Sequence, residues 1–385
     1  MHAPKKTLAF FALCLAPLVL GLSDPGATRG SEPASHSNNS SITFLSHRSG
    51  ENLLYRMRHD GSDLSVVFGG QVEKGTPLPE GARLYREPHW SRQSPDRRYF
   101  LSWATDVGVP ESKYNPNVQF MLYLGATNAT WSTVVEPNAD EVFAWSPDSR
   151  RFAFAIHHNK HPKVGYLRAG APTSEIVLLN ADRTNREVVL DSPGIWSPSD
   201  WSPDGKRLLL EYKPRLASSA LDTPSVLYEL DLIAFQEFCK LHREISPADA
   251  VTMITQSYLR DLTSKVEKPR FLGGRYSPDG KHIAAIRYMD PWNASGLGRR
   301  SELVIIDRAN LRITTIAASP DNRPDGLRGP ICWSPDAQRV LFSRNLSEVE
   351  SQSKEKMPDG LAIWSVPLEG GASTFVTTGW SPDWR

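Results

Sequence analysis

Short apolar runs recur along the chain, and each begins a few residues after the tripeptide Ser-Pro-Asp. Each run is short and mostly apolar, which is typical of a strand buried on both faces. The runs span Phe152 to Ile156, Leu208 to Tyr212, Ile283 to Arg287 and Val340 to Arg344. The chain also contains 30 Pro and 26 Gly, which favour short strands and tight turns over long helices. The pattern therefore predicts a mostly β protein.

A repeated turn precedes these runs. The tripeptide begins at Ser94, Ser146, Ser202, Ser277, Ser334 and Ser381, and an aromatic residue precedes every one of these copies except the first. Pro followed by Asp-Gly or Asp-Ser favours a tight turn, and the Asp carboxylate can accept hydrogen bonds from backbone amides that follow it. We therefore predict turn-forming rather than catalytic roles for Asp148, Asp204, Asp279 and Asp336.

The repeat predicts the fold. Together with two further strands, the strands on either side of the turn make a unit of four antiparallel strands, which covers both of its faces only by stacking radially against its neighbours. We predict an all-β, six-bladed β-propeller over residues 42–385. The last repeat, Trp380 to Arg385, is expected to supply an inner strand and a turn. Ile42 to Ser46 supplies the next strand, so both ends of the chain close one blade.

The N-terminal residues predict export. Residues 1–23 have the layout of a secretory signal peptide, with two lysines ahead of an uncharged apolar run. Pro17 interrupts this run, which is shorter than the roughly 20 residues of a spanning helix, so we expect no stable membrane insertion after cleavage. Residues 24–41 are rich in Pro, Ser and Asn and predict a flexible leader. The expected location is the periplasm or the extracellular space.

An aromatic residue, Ser-Pro-Asp-Gly and an apolar strand together resemble the repeat of TolB-like β-propellers. The segment from Ile42 to Leu64, with its His59-Asp60-Gly61 turn, resembles a second phase of that repeat. The resemblance covers Ser41 to Arg385 and implies a six-bladed periplasmic or secreted propeller that binds other proteins. The chain departs from TolB itself, which carries an extra N-terminal domain: only residues 24–41 separate the expected signal peptide from the first strand, so we expect no such domain here. Related repeats form the propeller of prolyl-peptidase-like hydrolases, which add a hydrolase domain.

The longest interval between tripeptides, from Ser202 to Ser277, contains two segments of helical character at residues 232–242 and 246–262. Ser246 is a candidate N-cap for the second segment, and apolar residues recur there at three- and four-residue steps. We predict a helical insertion over about residues 232–263. Its expected role is to cap the rim of a blade, and docking of a partner is the alternative.

Composition and motifs argue against several functions. The 44 Lys and Arg residues nearly balance 43 Asp and Glu residues, so we expect no nucleic-acid partner. The sequence lacks Gly-x-Ser-x-Gly, a glycine-rich phosphate loop, CxxC and HExxH, so we predict no catalytic residues, cofactor or metal. His157, His158 and His161 could ligate a metal, but adjacent strand residues point to opposite faces. A solvated loop is the favoured interpretation.

Cationic or titratable residues recur where the second strand of a blade ends. Alignment of the repeats on their Asp places such residues in five of the six blades. They are His47, Arg48, His157, His158, Lys213, Arg287 and Arg344. These residues predict a ligand-binding rim that steers an acidic peptide or glycan toward the channel. The alternative is a set of solvated loop charges.

Two functions remain open at this point. The first is a non-enzymatic binding propeller that holds a protein or peptide partner on its loop face and in its channel. The second is a hydrolase or lyase that acts on an anionic glycan, with a metal or acidic site at the channel mouth. We favour the first, because the repeats leave no surplus domain and no convergent catalytic set, and we expect a monomer.

Overall fold

A computed structural model describes most of the chain from residue 40 onward. The described ranges are 40–49, 52–68, 82–83, 85–106, 120–126, 132–136, 139–158, 173–213, 224–241, 258–267, 270–289, 300–319, 326–345 and 360–385. The expected signal peptide and residues 24–39 of the expected leader lie outside them. The described residues form six antiparallel sheets, which are the blades of a six-bladed propeller, as the repeat predicts.

We number the blades by the position of their second strand in the chain. Blade 1 contains β1 (Ser41–Ser46), β2 (Leu53–Arg58), β3 (Ser65–Phe68) and the last strand of the chain, β25 (Trp380–Trp384). Blade 2 contains β4 (Ala82–Arg83), β5 (Tyr85–Gln93), β6 (Tyr99–Asp106), β7 (Phe120–Ala126) and β8 (Ser132–Glu136). Blade 3 contains β9 (Ala139–Trp145), β10 (Arg151–His158), β11 (Thr173–Asn180) and β12 (Glu187–Pro193). Blade 2 thus has a fifth strand that the repeat does not predict.

Blades 4 to 6 repeat the four-stranded pattern. Blade 4 contains β13 (Ile195–Trp201), β14 (Arg207–Lys213), β15 (Val226–Asp231) and β16 (Leu259–Asp261). Blade 5 contains β17 (Phe271–Tyr276), β18 (His282–Tyr288), β19 (Ser301–Asp307) and β20 (Ile313–Ala318). Blade 6 contains β21 (Leu327–Trp333), β22 (Arg339–Asn345), β23 (Leu361–Pro367) and β24 (Thr374–Thr378). The helix α1 (Leu232–Leu241) follows β15.

In blades 2 to 6 the Ser-Pro-Asp tripeptide forms the turn between the inner strand and the second strand. In blade 3 the Ser146 hydroxyl and the Arg150 amide both donate to Asp148 Oδ1, at 2.6 and 3.0 Å. Burial raises the pKa of Asp148, but these hydrogen bonds outweigh burial and hold that pKa below its ordinary value. The same pair of hydrogen bonds occurs at Asp96, Asp204, Asp279 and Asp336. The prediction of turn-forming carboxylates is confirmed.

Apolar side chains fill the interfaces between neighbouring blades. The aromatic residues before the tripeptide belong to these interfaces, since Trp145, Trp201 and Trp333 are at most 5% exposed. The indole nitrogens of Trp145 and Trp333 donate to the carbonyls of Arg92 and Arg275, at 3.1 and 3.0 Å. Trp145 and Trp333 therefore bind the inner strand of one blade to that of the preceding blade, whereas the Trp201 indole donates to the Gly205 carbonyl of its own blade at 2.9 Å.

Both ends of the chain close blade 1, as the sequence predicts. The Ser41 amide donates to the Arg385 carbonyl at 2.7 Å, and the Arg385 amide donates to the Ser41 carbonyl at 2.9 Å. Gly379 precedes the last strand with φ of +138°, and a Cβ atom there would lie 2.3 Å from the Leu45 carbonyl oxygen. The close approach of β25 to β1 therefore requires glycine at this position.

The expected turn at the last tripeptide is wrong. In blade 3 the aromatic residue Trp145 pairs with Phe152 near the start of the second strand. In blade 1 that place belongs to Trp384, which pairs with Ile42, whereas Trp380 pairs with Leu45 at the other end of β1. Ser381, Pro382 and Asp383 therefore lie within β25 (Trp380–Trp384). The second strand of this blade comes from the other end of the chain, so no turn is needed here.

The helix α1 begins beside a capping carboxylate. Asp231 Oδ1 accepts hydrogen bonds from the amides of Ile233 and Ala234, at 3.1 and 3.0 Å, which satisfies two of the free donors of the first turn. Phe235 and Phe238 pack into the interface between blades 3 and 4. Among the described residues no helix is long and apolar enough to cross a bilayer.

The predicted helix over residues 246–262 is wrong at its C-terminal end. Leu259–Asp261 is strand β16, the fourth strand of blade 4, and pairs with β15. The open edge of β15 offers backbone hydrogen-bond partners, and pairing with that edge outweighs the helical spacing of the apolar residues. Residues 242–257, which contain the rest of the predicted helix, lie outside the described ranges.

Candidate functional site

The inner strands of the six blades surround a central channel. We call the end at which the inner strands begin the rim face, and the end that bears the Ser-Pro-Asp turns the turn face. A cavity in this channel is lined by residues of all six blades. Its charged lining residues are Arg92, Glu141, Glu211, Arg275 and Asp383, and its apolar walls include Phe143, Leu272 and Ile331. Charged groups and apolar walls therefore meet inside the channel.

In five inner strands one position holds the aromatic residue of the blade interface, and in blade 2 the same position holds Gln93. We consider the residue directly before this position in each strand. In blades 1 to 6 these residues are Asp383, Arg92, Ala144, Asp200, Arg275 and Cys332. We call them the channel ring. Around the ring the order acidic, basic, neutral occurs twice.

Two arginines of the channel ring share one carboxylate. Arg92 Nη2 donates to Asp200 Oδ1 at 3.0 Å, and Arg275 Nη1 lies 3.9 Å from the same oxygen. Asp200 Oδ2 accepts a hydrogen bond from the Tyr276 amide at 2.9 Å. Arg92 of blade 2 thus reaches blade 4 across blade 3, where the ring residue is the small Ala144. The ion pairs join three different blades.

Burial changes the proton affinities of the channel ring. Burial and the positive charge of Arg92 lower the pKa of Arg275 to about 9, although Asp200 and Asp383 act against them. Burial also lowers the pKa of Arg92, but the same two carboxylates outweigh burial and raise that pKa overall. Burial raises the pKa of the Cys332 thiol, which therefore stays protonated. Two guanidinium charges are thus held close together and away from water.

Carboxylates lie nearer the rim face of the same cavity. Glu141 precedes Ala144 of the channel ring by three residues, which corresponds to about 10 Å along a strand. Its Oε2 accepts a hydrogen bond from Trp90 Nε1 at 3.2 Å. Glu211 Oε1 accepts from the Ser225 hydroxyl at 2.9 Å and forms an ion pair with Lys213 at the same distance. The cavity therefore contains carboxylates near the rim face and two arginines farther from it.

The predicted rim residues lie at the end of a second strand or directly after it, and so on one face of the propeller. Three of them are paired with carboxylates. His157 Nε2 lies 3.0 Å from Asp140 Oδ2, and His157 Nδ1 lies 2.8 Å from Ser174 Oγ. Lys213 pairs with Glu211, and Arg287 pairs with Glu302. Glu211 and Glu302 therefore offset the positive charges of Lys213 and Arg287.

The other predicted rim residues contact their own or a neighbouring blade. Arg48 Nη2 donates to the Thr378 carbonyl of blade 6 at 2.7 Å. The Arg344 guanidinium lies 3.7 Å from the ring centre of Trp364, and His47 Nδ1 lies 2.9 Å from Asn52 Oδ1. The side chains of His158 and His161 lie outside the described residues. The ligand-binding role of this rim stays a prediction.

Comparisons with known proteins address the fold. No protein-family model matches the chain, and no curated protein matches it in sequence. TolB from Acinetobacter baumannii matches with a TM-score of 0.54 and 14% identity, over 90% of this chain and 67% of that one. A structure described as TolB from Agrobacterium tumefaciens has a TM-score of 0.48 and 17% identity, over 89% and 91% of the two chains. An oligogalacturonate lyase from Vibrio parahaemolyticus has a TM-score of 0.48 and 10% identity, over 87% and 74%.

The chain has a TolB-like propeller fold. At these identities the similarity concerns the fold alone. Within the described part of this TolB-like propeller, no three His, Cys, Asp or Glu side chains converge as a metal site would require.

Sequence reasoning missed the channel ring. Its four charged members differ in type and lie far apart in the chain, so no motif contains two of them. A signal was present for three of them, because Arg92, Asp200 and Arg275 each lie two residues before a Ser-Pro-Asp tripeptide. The place of Asp383 in the channel ring was missed because the last tripeptide was predicted to form a turn.

Proposed function

We propose that this TolB-like propeller is a non-enzymatic binding protein of the periplasm or the extracellular space, which holds a peptide or protein partner in its central channel and at the rim face. The observation that carries the proposal is the cavity lined by all six blades, in which apolar walls and charged groups alternate. Such a combination of apolar surface and a few placed polar groups is typical of a ligand site.

The rim residues enter this proposal as a steering surface. Arg48 and Arg344 carry positive charge at the rim face, beside the Thr378 carbonyl and the Trp364 ring, and would attract an acidic segment of a partner; His47 is the neighbour of Arg48 in the chain. Glu211 and Glu302 offset the positive charges of Lys213 and Arg287, which limits what these two residues add to the attraction. The expected location follows from the apolar run in residues 1–23.

Site-specific photocrosslinking in the native envelope or secreted fraction tests the proposal. A photoreactive residue at Glu141, which lines the cavity, is expected to give a discrete adduct with a partner. The matched control is the same residue at Lys281, whose side chain is 76% exposed in a turn on the opposite face. Equal adducts at both positions, or none at Glu141, would contradict a channel site.

An enzyme acting on an anionic glycan is the competing function. Elemental analysis of the purified protein and a turnover screen on polyuronides separate the two. Near-stoichiometric bound metal together with turnover would replace the binding function by the enzymatic one.

A further inference from the structure

Two buried guanidinium groups in the channel ring have unused donors. Arg92 Nη1 and Arg275 Nη1 are closed off from water and have no hydrogen-bond acceptor among the described residues. The Arg275 side chain is 9% exposed, and both arginines line the channel cavity. A buried charged donor without an acceptor is costly, so these two atoms are poised to gain a partner.

The charge balance near these donors favours an anion. Within the described residues, Asp200 is the one carboxylate within ion-pair distance of either arginine. The other acidic member of the ring, Asp383, pairs with Arg385 at 3.1 Å. Asp383 also acts on Arg92 and Arg275 from farther away, so two carboxylates serve three arginines here. A ligand carboxylate would balance the remaining positive charge and offer one oxygen to each unused Nη1.

The other residues that line the cavity indicate which kind of anionic ligand would fit. Phe143, Leu272 and Ile331 line it, which suits an apolar group next to the carboxylate. Nearer the rim, Glu141 would repel a ligand that carries several negative charges, such as a polyuronide, and Glu211 would add to this repulsion although Lys213 offsets part of its charge. A peptide chain carries one terminal carboxylate and can place a basic residue beside these acids, about three residues away.

We propose that Arg92 and Arg275 bind the C-terminal carboxylate of a peptide that enters the channel from the rim face with its C-terminus leading. This inference rests on the proposed function, because it assigns a ligand class to the same channel. Arg92 and Arg275 supply the two Nη1 donors, the apolar walls contact the last side chain, and Glu141 and Glu211 face a basic residue nearer the rim.

A pair of synthetic peptides tests this proposal on the full chain. The probes are N-acetyl-Lys-Ala-Leu as the free acid and the same peptide as the C-terminal amide, titrated calorimetrically at constant ionic strength. We expect the acid to bind at least about tenfold more tightly, the difference that one charge-assisted hydrogen bond provides. Arg275→Gln and Arg92→Gln should reduce this preference toward one, and the surface control Lys281→Gln should retain it.

A second variant and a crystal structure of the complex test the proposal even if the Gln variants do not fold. Arg275→Lys keeps a cation beside Asp200 but loses the planar fork, so it should fold and lose several-fold of the preference. A crystal structure of the wild-type complex should place the carboxylate between the two arginines. Equal binding of acid and amide, or a carboxylate elsewhere, would overturn the proposal.

The two proposals fail in different ways. A partner crosslinked at Glu141 together with equal binding of acid and amide would leave the binding function standing and remove the carboxylate site. A clear preference for the acid without any crosslinked partner would leave the carboxylate site standing and remove the proposed binding of a partner.

Discussion

The interface between blades 3 and 4 and the interface between blades 1 and 2 are built very differently. Between blades 3 and 4, fourteen buried apolar side chains form one cluster, to which α1 contributes Leu232, Phe235 and Phe238. Between blades 1 and 2, the cluster of described residues contains four: Leu45, Leu54, Val67 and Phe100. Buried apolar area supplies most of the stability of a fold, and among the described residues the second interface contributes fewer such side chains.

Blade 1, which forms one side of this second interface, is also the blade in which the ring closes. Within blade 1 the two ends of the chain are joined by the β1–β25 pairing and by the hydrogen bonds between Ser41 and Arg385. Arg97 of blade 2 adds a hydrogen bond from its Nη2 to the Arg385 carbonyl at 3.1 Å. Closure of the ring thus combines backbone pairing within blade 1 with a hydrogen bond from blade 2.

Deletion of Trp380 to Arg385 should have the largest effect. It removes β25 and exposes Ile42 and Phe44 of β1, which are at most 1% exposed in the closed ring. We expect loss of the cooperative thermal transition, followed by circular dichroism. Deletion of six residues between positions 24 and 39 is the control, and equal melting temperatures for the two deletions would refute closure by the C-terminal strand.

Two tryptophan substitutions compare the interfaces directly. Trp201 is 4% exposed in the cluster between blades 3 and 4, whereas Trp380 is partly buried against the smaller one. Trp201→Ala should cost about 3–5 kcal/mol of unfolding free energy in urea titrations. Trp380→Ala should cost less, about 1–2 kcal/mol, because less of its surface is buried. Similar costs would mean that the two interfaces contribute equally.

Urea titrations should also show a large loss of unfolding free energy for Trp145→Ala and Trp333→Ala. These residues are 3% and 5% exposed, so each is expected to cost about 3–5 kcal/mol. Losses under about 1 kcal/mol in both would place these indoles outside the core.

A smaller loss of folding stability is expected when the pH is lowered. Burial raises the pKa of Asp204, but hydrogen bonds from Ser202 and Lys206 outweigh burial, so its pKa in the folded protein lies below its unfolded value. The stabilisation is therefore complete above the unfolded pKa and is lost as the pH falls through the folded one. Asp204→Asn should remove on the order of 0.5 kcal/mol of this pH dependence, after allowance for solvent screening.

Urea titrations between pH 6 and pH 2 measure this difference, with a substitution at the exposed Lys265, Lys265→Gln, as the control. Blade 1 has no Ser-Pro-Asp turn, so the contribution of these turns comes from blades 2 to 6, while hydrogen bonds from Ser62 lower the pKa of Asp60 in the β2–β3 turn of blade 1. Identical pH profiles for Asp204→Asn and the wild type would show that the turn hydrogen bonds add no stability.

The sequence by itself determined the blade, its turn and the ring closure. Asp148 and its counterparts contact residues within two positions in the chain, and Trp145 lies directly before the turn, so a repeated local pattern carries both. The strand pairing of the two chain ends followed from counting strands against blades.

The tertiary structure alone decided the register of β25, the strand β16 and the channel ring. The position of Trp384 depends on pairing with Ile42, more than 300 residues away, and β16 depends on the open edge of β15. Arg92 and Asp200 meet only because blade 3 presents a small residue between them. Contacts across the ring join residues that no local pattern links, so their geometry follows from the closed propeller and not from any one repeat.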